Sequence, residues 1–332
     1  EEELDYDWGN TTYSIRWTHI FSSSLFGNFW TTFSDFDSDF SFEEFMEEND
    51  MGDRSFKGNL EYYYSQNLNL KLGFEYKSLH GTFRQEFPGG RVDVDRWGKY
   101  FASYIQSEWN PMPLLEIQTG LRYNYFDSNK SFQNLAPRLS AKYRLTDTIN
   151  LKSAFGIYHQ FLFRIPRTFI ADIWTSSDEF YGSSMSHHYI MGFQKEISDN
   201  FSLEIETYYK DYSNLYSYDY FFYTGLQPEN YTDDGEPIYQ STAGLFNRGN
   251  GHSYGLEFLL RKNSGPVTGW ASYTLSRAVQ KIEGVNQSEN FVPRHDRTHM
   301  LNLIGNIDIK NSLRQLRSVD YNRDRTTWRL GI

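Results

Sequence analysis

The densest group of side chains suited to binding is a run of tyrosines. Residues 208–223 read YYKDYSNLYSYDYFFY, and in an extended strand every second side chain points to the same face. A tyrosine combines a flat apolar ring with a polar tip, which suits sugars, aromatic siderophores and peptides. The pattern predicts a ligand platform beside the longest loop, with packing along a strand edge as the alternative. The tyrosines of the predicted platform are Tyr212, Tyr216, Tyr218 and Tyr220.

A second group is acidic. The stretch SDFDSDFSFEEFMEENDMGD at 34–53 places Asp35, Asp37 and Asp39 on one face of a strand. Closely spaced carboxylates can hold Ca²⁺, which takes roughly six to eight oxygen ligands. The spacing is not that of an EF-hand. We therefore predict either a structural Ca²⁺ site at these aspartates or a solvated acidic lumen face and loop.

A third group is the run RHDRTH at 294–299. His295 and His299 share a face of a strand, but four residues of strand separate them by about 13 Å. That distance is too long for two ligands of one ion with bonds of about 2.1 Å. A zinc site at these histidines is therefore excluded if the backbone is extended.

The composition argues against several classes of function. The chain of 332 residues has no Cys, which removes thiolate chemistry and disulfides. We predict no catalytic residues and no enzyme. The net charge of −11 argues against nucleic acid as a partner, because phosphate binding needs a basic face. No cofactor is predicted beyond the possible Ca²⁺.

Alternating strands must position these side chains. The segment 115–125 is typical, because its even and odd positions differ sharply in polarity, and this alternation indicates a strand between an apolar medium and water. One face carries Leu115, Ile117, Thr119, Leu121, Tyr123 and Tyr125, and the other carries Glu116, Gln118, Gly120, Arg122 and Asn124. Fourteen strands are predicted near 10–20, 25–41, 54–64, 68–80, 93–109, 114–125, 135–145, 149–161, 186–197, 201–215, 250–262, 267–278, 297–309 and 321–331.

The connections between these strands are alternately short and long. We expect short turns at 21–24, 65–67, 110–113, 146–148, 198–200 and 263–266. We expect long loops at 43–53, 80–92, 126–134, 162–186, 216–249 and 279–296. An antiparallel up-and-down barrel with tight turns on one rim and long loops on the other is how outer-membrane barrels are built. A large soluble β-protein is the alternative, but no blade-length repeat is visible.

Other bulk properties agree with a transmembrane barrel. Aromatic residues make up 18% of the chain, and sheets and membrane interfaces favour them. The mean hydropathy is −0.67, which a barrel tolerates because only every second strand residue faces lipid. A lumen of about fourteen strands is too wide for side chains to fill, so we expect polar side chains inside and apolar ones towards lipid. The first residues, EEELDYDWGN, do not form a signal peptide.

Several segments resemble the barrel of TonB-dependent outer-membrane receptors of the kind abundant in Bacteroidetes. They cover about a third of the chain in the order found in that family, and they are architectural rather than catalytic. The segments are DWGNTTYSIRWTHIFSSSLFGNFWTTFSDFD (7–37), LAPRLSAKYRLTDTINLKSAFGIYHQ (135–160), NRGNGHSYGLEFLLRKNSGPVTGWASYTLSRA (247–278) and FVPRHDRTHMLNLIGNI (291–307).

The resemblance implies a barrel of 22 strands with an N-terminal plug. This chain shows about fourteen strands, no plug and no TonB-contact motif, so we interpret residues 1–332 as one partial barrel domain. A complete fourteen-stranded passive channel without a plug is the alternative. In the family, the region of Arg294, Asp296 and Arg297 closes salt bridges at the lumen rim, and we expect the same here.

The implied function is active import of a scarce nutrient across the outer membrane of a Gram-negative bacterium. The ligand would be a ferric siderophore, a vitamin, an oligosaccharide or a peptide, bound by external loops and the lumen. The implied partners are the TonB–ExbB–ExbD complex acting through a plug, outer-membrane lipid and a surface lipoprotein. A surface interaction protein, whose long loops bind a partner, is the third interpretation.

Overall fold

The computed structural model describes residues 4–167, 172–219, 227–309 and 329–331, so Tyr220 of the predicted platform lies outside the described residues. These residues form strands and one 3₁₀ turn, Asn286–Ser288. No helix in this part of the chain is long and apolar enough to span a membrane. The strands are β1 (Leu4–Ser22), β2 (Leu25–Phe42), β3 (Phe45–Ser65), β4 (Leu68–Phe87), β5 (Gly90–Met112), β6 (Leu115–Ser128), β7 (Lys130–Thr146), β8 (Ile149–Gln160), β9 (Leu162–Ile165), β10 (Ile173–Ser176), β11 (Ser184–Ser198), β12 (Phe201–Tyr218), β13 (Asn230–Tyr231), β14 (Pro237–Tyr239), β15 (Phe246–Lys262), β16 (Val267–Ile282), β17 (His299–Asp308) and β18 (Arg329–Gly331).

Fourteen of these strands form one antiparallel sheet in chain order. The order is β1-β2-β3-β4-β5-β6-β7-β8-β11-β12-β15-β16-β17-β18, so each wall strand pairs with the next one along the chain. The remaining four lie within two long connections: β9 pairs with β10, and β14 pairs with β13 and, in parallel, with β5. The predicted all-β up-and-down barrel of about fourteen strands is confirmed.

Three predicted loops are wrong, because the wall strands extend past the expected boundaries. The segments 43–53, 80–92 and 126–134 belong mostly to β-hairpins, which end in tight turns with positive φ at Glu43 (53°), Gly89 (96°) and Asn129 (54°). The apolar alternation fades where a strand leaves the lipid and both faces meet polar surroundings. The predicted loops at 162–186, 216–249 and 279–296 do correspond to long connections.

The two faces of the sheet differ as expected. On one face Arg122 donates a hydrogen bond to Glu75 across strand β5, and Lys71 Nζ lies 2.7 Å from a Glu61 oxygen. This polar face is the interior, because the connection after β8 folds back over it. On the opposite, lipid-facing side apolar side chains stay exposed, among them Leu72 (53%), Ile105 (50%), Leu121 (44%) and Leu139 (50%).

The hydrophobic core lies at the hairpin rim rather than in the membrane-spanning wall. We call the described residues 161–167 and 172–183, between β8 and β11, the inner loop. Phe163 and Ile173 of this loop are buried against Phe83, Val92 and Val94, which lie on the interior face of β4 and β5. The inner loop therefore crosses the barrel interior and covers the upper ends of distant strands.

Tyrosine rings lie flat on glycines along the inner wall. A Cβ added to Gly73 would lie 2.2 Å from the Tyr104 ring, and one added to Gly255 would lie 2.8 Å from the Tyr208 ring. Contacts this short are impossible for real side chains, so the glycines make the flat ring positions possible.

Candidate functional site

A cavity of about 600 Å³ lies between the inner faces of β12, β15 and β16 and the chain that precedes β17. We call it the tyrosine cavity. Its polar lining mixes hydroxyl, amide, imidazole, guanidinium and carboxylate groups beside two flat aromatic rings. The lining includes Tyr208, Tyr212, Ser253, Gln280, His295, Asp296 and Arg297. This chemistry suits a polar organic ligand with flat or apolar parts.

Tyr212 is the member of the predicted tyrosine platform that lines this cavity. Its hydroxyl lies 3.0 Å from the Ser253 Oγ on the neighbouring strand β15. Its ring meets the His188 ring edge to face, with centroids 6.5 Å apart. The side chain is thus held by contacts with both neighbouring strands, as expected of a preformed ligand contact.

Tyr216 and Tyr218 do not line the tyrosine cavity with Tyr212, and their role in ligand binding stays a prediction. The strand carries a bulge at Asn214, which has φ 56°, and the pairing with β15 shifts by one residue there. A bulge changes which side chains share a face. The tyrosines beyond it pack against the inner loop instead of lining the cavity.

The contacts of these two tyrosines are specific. The Tyr216 hydroxyl donates a hydrogen bond of 3.0 Å to the Gly182 carbonyl, and burial raises the pKa of this phenol. The Tyr218 side chain is 5% exposed, and its hydroxyl donates to the Gln85 amide oxygen at 3.2 Å. Tyr216 therefore fastens the inner loop to the wall, whereas the Tyr218 hydroxyl joins β12 to β4 and its ring lies 5.2 Å from the Arg167 guanidinium carbon of the inner loop.

Asp296 closes the side of the tyrosine cavity next to β17. Its carboxylate accepts hydrogen bonds from the Ala278 backbone N–H at 2.7 Å and the Thr298 hydroxyl at 3.2 Å. Its ionic partner is Arg277, at 3.6 Å. The prediction that Arg294 and Arg297 close salt bridges here is wrong, since both side chains are exposed and neither forms an ion pair within the described part of the chain.

The sequence analysis did not identify Arg277, because it lies at one of the alternate positions of β16 that face lipid. Residues 291–298 fold back along that strand, with Phe291 bridged to Gln280. This return brings Asp296 level with Ala278, where the guanidinium can reach it. The sequence feature that pointed to this contact is the long segment without alternation between the end of β16 and the start of β17.

The inner loop is fastened to β3 by polar contacts that the sequence analysis did not find. Arg167 and Glu47 form a bidentate salt bridge in which the side chains are 0% and 1% exposed, and Arg167 Nη1 lies 2.6 Å from Glu47 Oε2. Burial raises the pKa of Glu47, and the guanidinium opposes that shift. Asn49, two residues further along the same face, accepts from the Trp174 N–H at 2.7 Å and donates to its carbonyl at 3.2 Å.

A second fastening joins the inner loop to β5 and to the connection before β15. Asp178 is fully buried and accepts hydrogen bonds from the backbone N–H groups of Phe180 and Tyr181, and from the Thr242 hydroxyl. Burial raises the pKa of Tyr181 to about 12. Arg96 on β5 donates to both oxygens of Glu179, at 2.9 and 3.1 Å. The loop thus has ties to three separate elements.

A family model described as TonB dependent receptor-like, beta-barrel matches residues 2–331. The chain belongs to this family of receptor barrels. The family is one of receptors and transporters rather than enzymes, and its members lie in the outer membrane of Gram-negative bacteria, where the short turns of the barrel face the periplasm. The predicted family is confirmed, and a Bacteroidetes-type origin stays a prediction.

Solved structures share the fold at low sequence identity. The ferric-catecholate import receptor from E. coli K12 has a TM-score of 0.63 at 13% identity, with 92% of this chain and 52% of that chain covered. The ferric yersiniabactin uptake receptor from Yersinia pestis has a TM-score of 0.64 at 11% identity, covering 93% and 48%. The ferripyoverdine receptor of Pseudomonas aeruginosa has a TM-score of 0.63 at 11% identity, with 92% of this chain and 44% of that chain covered.

The receptor barrel therefore spans about half the length of the solved structures that it matches. No curated protein matches it in sequence. Identities this low show the fold alone, so the ligand and partners of this barrel have to be argued from its own residues.

The predicted acidic group lies on the outer wall of the barrel, above the lipid-facing band. Asp35 shares a strand face with the exposed ring of Phe33, and its carboxylate is 2.6 Å from Arg54. The expected acidic lumen face is therefore wrong, because these odd positions of β2 point away from the interior. The other two members of the group, Asp37 and Asp39, occupy the same outward parity.

Asp39 lies among several other acidic side chains. Burial raises its pKa, and so do the nearby charges of Glu48, Asp50, Asp37 and Asp7. Within the described residues, no group of three or more His, Asp or Glu side chains is arranged to hold a metal ion. Calcium at Asp35, Asp37 and Asp39 stays a prediction.

Proposed function

We propose that this barrel belongs to a receptor that imports a scarce nutrient across the outer membrane with energy from TonB. The observation that carries the proposal is the tyrosine cavity, which combines flat rings with polar groups on the inner wall of a receptor-family barrel. A TonB–ExbB–ExbD complex acting through a plug, and a surface lipoprotein, remain proposed partners.

The solved structures suggest the first ligands to try. Those receptors take ferric catecholate, ferric yersiniabactin and ferripyoverdine, so ferric siderophores are our leading class. The aromatic rings of Tyr208 and Tyr212 suit catecholate or phenolate rings by stacking. A vitamin, an oligosaccharide or a peptide would use the same mixture of rings and polar groups.

The test is uptake of ⁵⁵Fe in cells that carry the intact receptor, with each of the three ferric siderophores. We expect uptake of one of them to depend on TonB and to fall at least roughly tenfold for Tyr212→Ala, the size of a well-packed aromatic contact at a binding centre. Tyr209→Ala is the matched control, because Tyr209 lies on the opposite face of the same strand and is exposed towards lipid.

The alternative function is a plug-free passive channel of fourteen strands. It predicts uptake that continues without TonB and increases linearly with ligand concentration. Uptake that is unaffected by loss of TonB would therefore replace the receptor proposal with the channel. Equal losses for Tyr212→Ala and Tyr209→Ala would remove the tyrosine cavity as the ligand site.

A further inference from the structure

One short segment of β12 takes part both in the tyrosine cavity and in the attachment of the inner loop. We call residues 212–216 the linking segment. Tyr212 and Leu215 of this segment line the tyrosine cavity. Tyr216, at its end, donates a hydrogen bond of 3.0 Å to the Gly182 carbonyl of the inner loop. The cavity and the loop therefore share one piece of the barrel wall.

The Tyr216 ring is a packing centre for the inner loop. It meets the rings of Phe163 and Tyr181 edge to face, with centroids 5.1 and 5.3 Å away. Phe163 belongs to the described part of the loop before the gap at 168–171, and Tyr181 belongs to the part after it. Both parts of the loop thus pack on a single side chain of the linking segment.

Asn214 lies between the cavity side and the loop side of the linking segment, and its φ is 56°. Asparagine tolerates this left-handed conformation better than most residues, but a chain keeps it only where the surroundings fix it. Two hydrogen bonds do so here. The Asn214 side-chain N–H donates to the Ser183 carbonyl at 3.0 Å, and the Ser184 hydroxyl donates to the Asn214 carbonyl. The conformation of Asn214 therefore depends on where the end of the inner loop lies.

The bulge at Asn214 also determines how the cavity is lined. The pairing of β12 with β15 skips one residue there, passing from Ser213 opposite Asn250 to Leu215 opposite Gly249. Loss of the bulge would be a shift of register by one residue, which is a discrete change and reverses the face of every later side chain. The linking segment thus has a bulged arrangement, which the loop contacts favour, and a regular arrangement, which they oppose.

We propose that filling of the tyrosine cavity and attachment of the inner loop stabilise each other through this bulge. A ligand packed against Tyr212 and Leu215 favours the bulged arrangement, and the same arrangement holds the loop. Detachment of the loop removes the contacts that fix Asn214, so the register shifts and Leu215 leaves the cavity lining. Linkage requires the two effects to be equal in size. This coupling rests on the proposed function only in that a ligand enters the tyrosine cavity.

Hydrogen exchange of peptides covering 172–183 measures the coupling in the intact receptor. The probes are ferric catecholate, ferric yersiniabactin and ferripyoverdine, each tested for binding by calorimetry and then added at saturation. We expect a bound siderophore to slow exchange of these peptides roughly 5-fold or more, the lower end of couplings between sites.

Two variants show whether the linking segment carries this effect. Tyr216→Ala removes loop contacts without removing a lining residue of the cavity, so the siderophore should still bind but should no longer slow the exchange. Arg164→Met is the matched control, because it alters an ion pair of the same loop whose arginine is 63% exposed. The siderophore should slow exchange in Arg164→Met as it does in the unaltered receptor.

Two variants of Asn214 test the bulge without a ligand. Asn214→Gly keeps the positive φ and loses only the side-chain hydrogen bond, so peptides over 172–183 should lose protection roughly 2- to 12-fold, the range of one net hydrogen bond. Asn214→Val places a β-branched residue where φ is positive, which such residues avoid, so it should lose more protection than Asn214→Gly. A fluorotyrosine in place of Tyr212 should show a shifted ¹⁹F NMR signal in Asn214→Val and an unshifted one in Asn214→Gly.

The outcomes separate this coupling from the import function. Siderophore binding that leaves exchange of 172–183 unchanged would overturn the coupling and leave the import function standing. Slowing that persists in Tyr216→Ala would show that the ligand acts on the loop directly, which also overturns it. If none of the three siderophores binds, the leading ligand class fails, and the coupling is decided by Asn214: equal ¹⁹F signals in its two variants would refute it.

Discussion

The salt bridge between Arg167 and Glu47 should hold the inner loop inside the barrel. Its side chains are 0% and 1% exposed, so removing one partner leaves a buried charge without compensation. Breaking such a pair costs about 3–5 kcal/mol. We therefore expect Arg167→Met to make opening of the inner loop easier by that amount, which corresponds to a factor of roughly 10² to 10³ or more in the opening equilibrium.

Hydrogen exchange measures this opening directly. The Trp174 N–H donates to the Asn49 side-chain oxygen on β3, so this amide exchanges when the loop leaves the wall. Peptides that cover 172–183 in the intact receptor should lose protection by the stated factor in Arg167→Met. Peptides from β6 should keep theirs.

Two further variants make the reasoning refutable. Arg164 lies in the same loop and pairs with Asp172, but its side chain is 63% exposed, so Arg164→Met should cost at most about 1 kcal/mol. The double variant Glu47→Leu/Arg167→Met removes both buried charges and should recover most of the protection. Equal effects of Arg167→Met and Arg164→Met, or no recovery in the double variant, would show that burial of the charge does not control the loop.

Three other outcomes are expected. Gly73→Ala should displace the Tyr104 ring and cost roughly 1–3 kcal/mol, seen as a lower midpoint in thermal unfolding. Asp39→Asn should raise the thermal midpoint at pH 7, because the folded state favours the protonated form of the Asp39 carboxyl. This gain should vanish below the usual pKa of 3.8. If CaCl₂ raises the midpoint of the unaltered receptor, EDTA reverses the rise and Asp39→Asn does not show it, the calcium site is supported. Burial would raise the pKa of Glu179, but hydrogen bonds from a backbone N–H and from Arg96 lower it. The ionised Glu179 carboxylate therefore stabilises the folded state fully above pH 4.5, and this stabilisation is lost as the pH falls further. The thermal midpoint of Glu179→Gln should lie below that of the unaltered receptor at pH 6, and the difference should shrink at pH 3.

The membrane-spanning wall was predictable from sequence because lipid imposes one simple rule on it. Every second residue of β6 or β7 faces hydrocarbon, so polarity alternates and the strands are visible. The external hairpins follow no such rule. Around Glu47 and Asn49 the inward positions are polar because they meet a loop that arrives from 120 or more residues away.

The candidate site was only partly predictable for the same reason. Tyr212 and Asp296 were identified from residue type, and the structure brings both to one cavity. Tyr216 and Tyr218 do not line that cavity with Tyr212, because one residue with positive φ, Asn214, shifts the strand register.

The tyrosines that lie flat on glycines have a consequence for whatever moves through the barrel. A tyrosine ring that projects from the wall narrows the barrel interior by the full length of the side chain. A ring that lies against the backbone narrows it only by the thickness of the ring. Tyr104 and Tyr208 therefore add two aromatic ring faces to the inner wall and narrow the interior there only by about the thickness of a ring. A flat solute at this wall would therefore meet the faces of these rings rather than their edges.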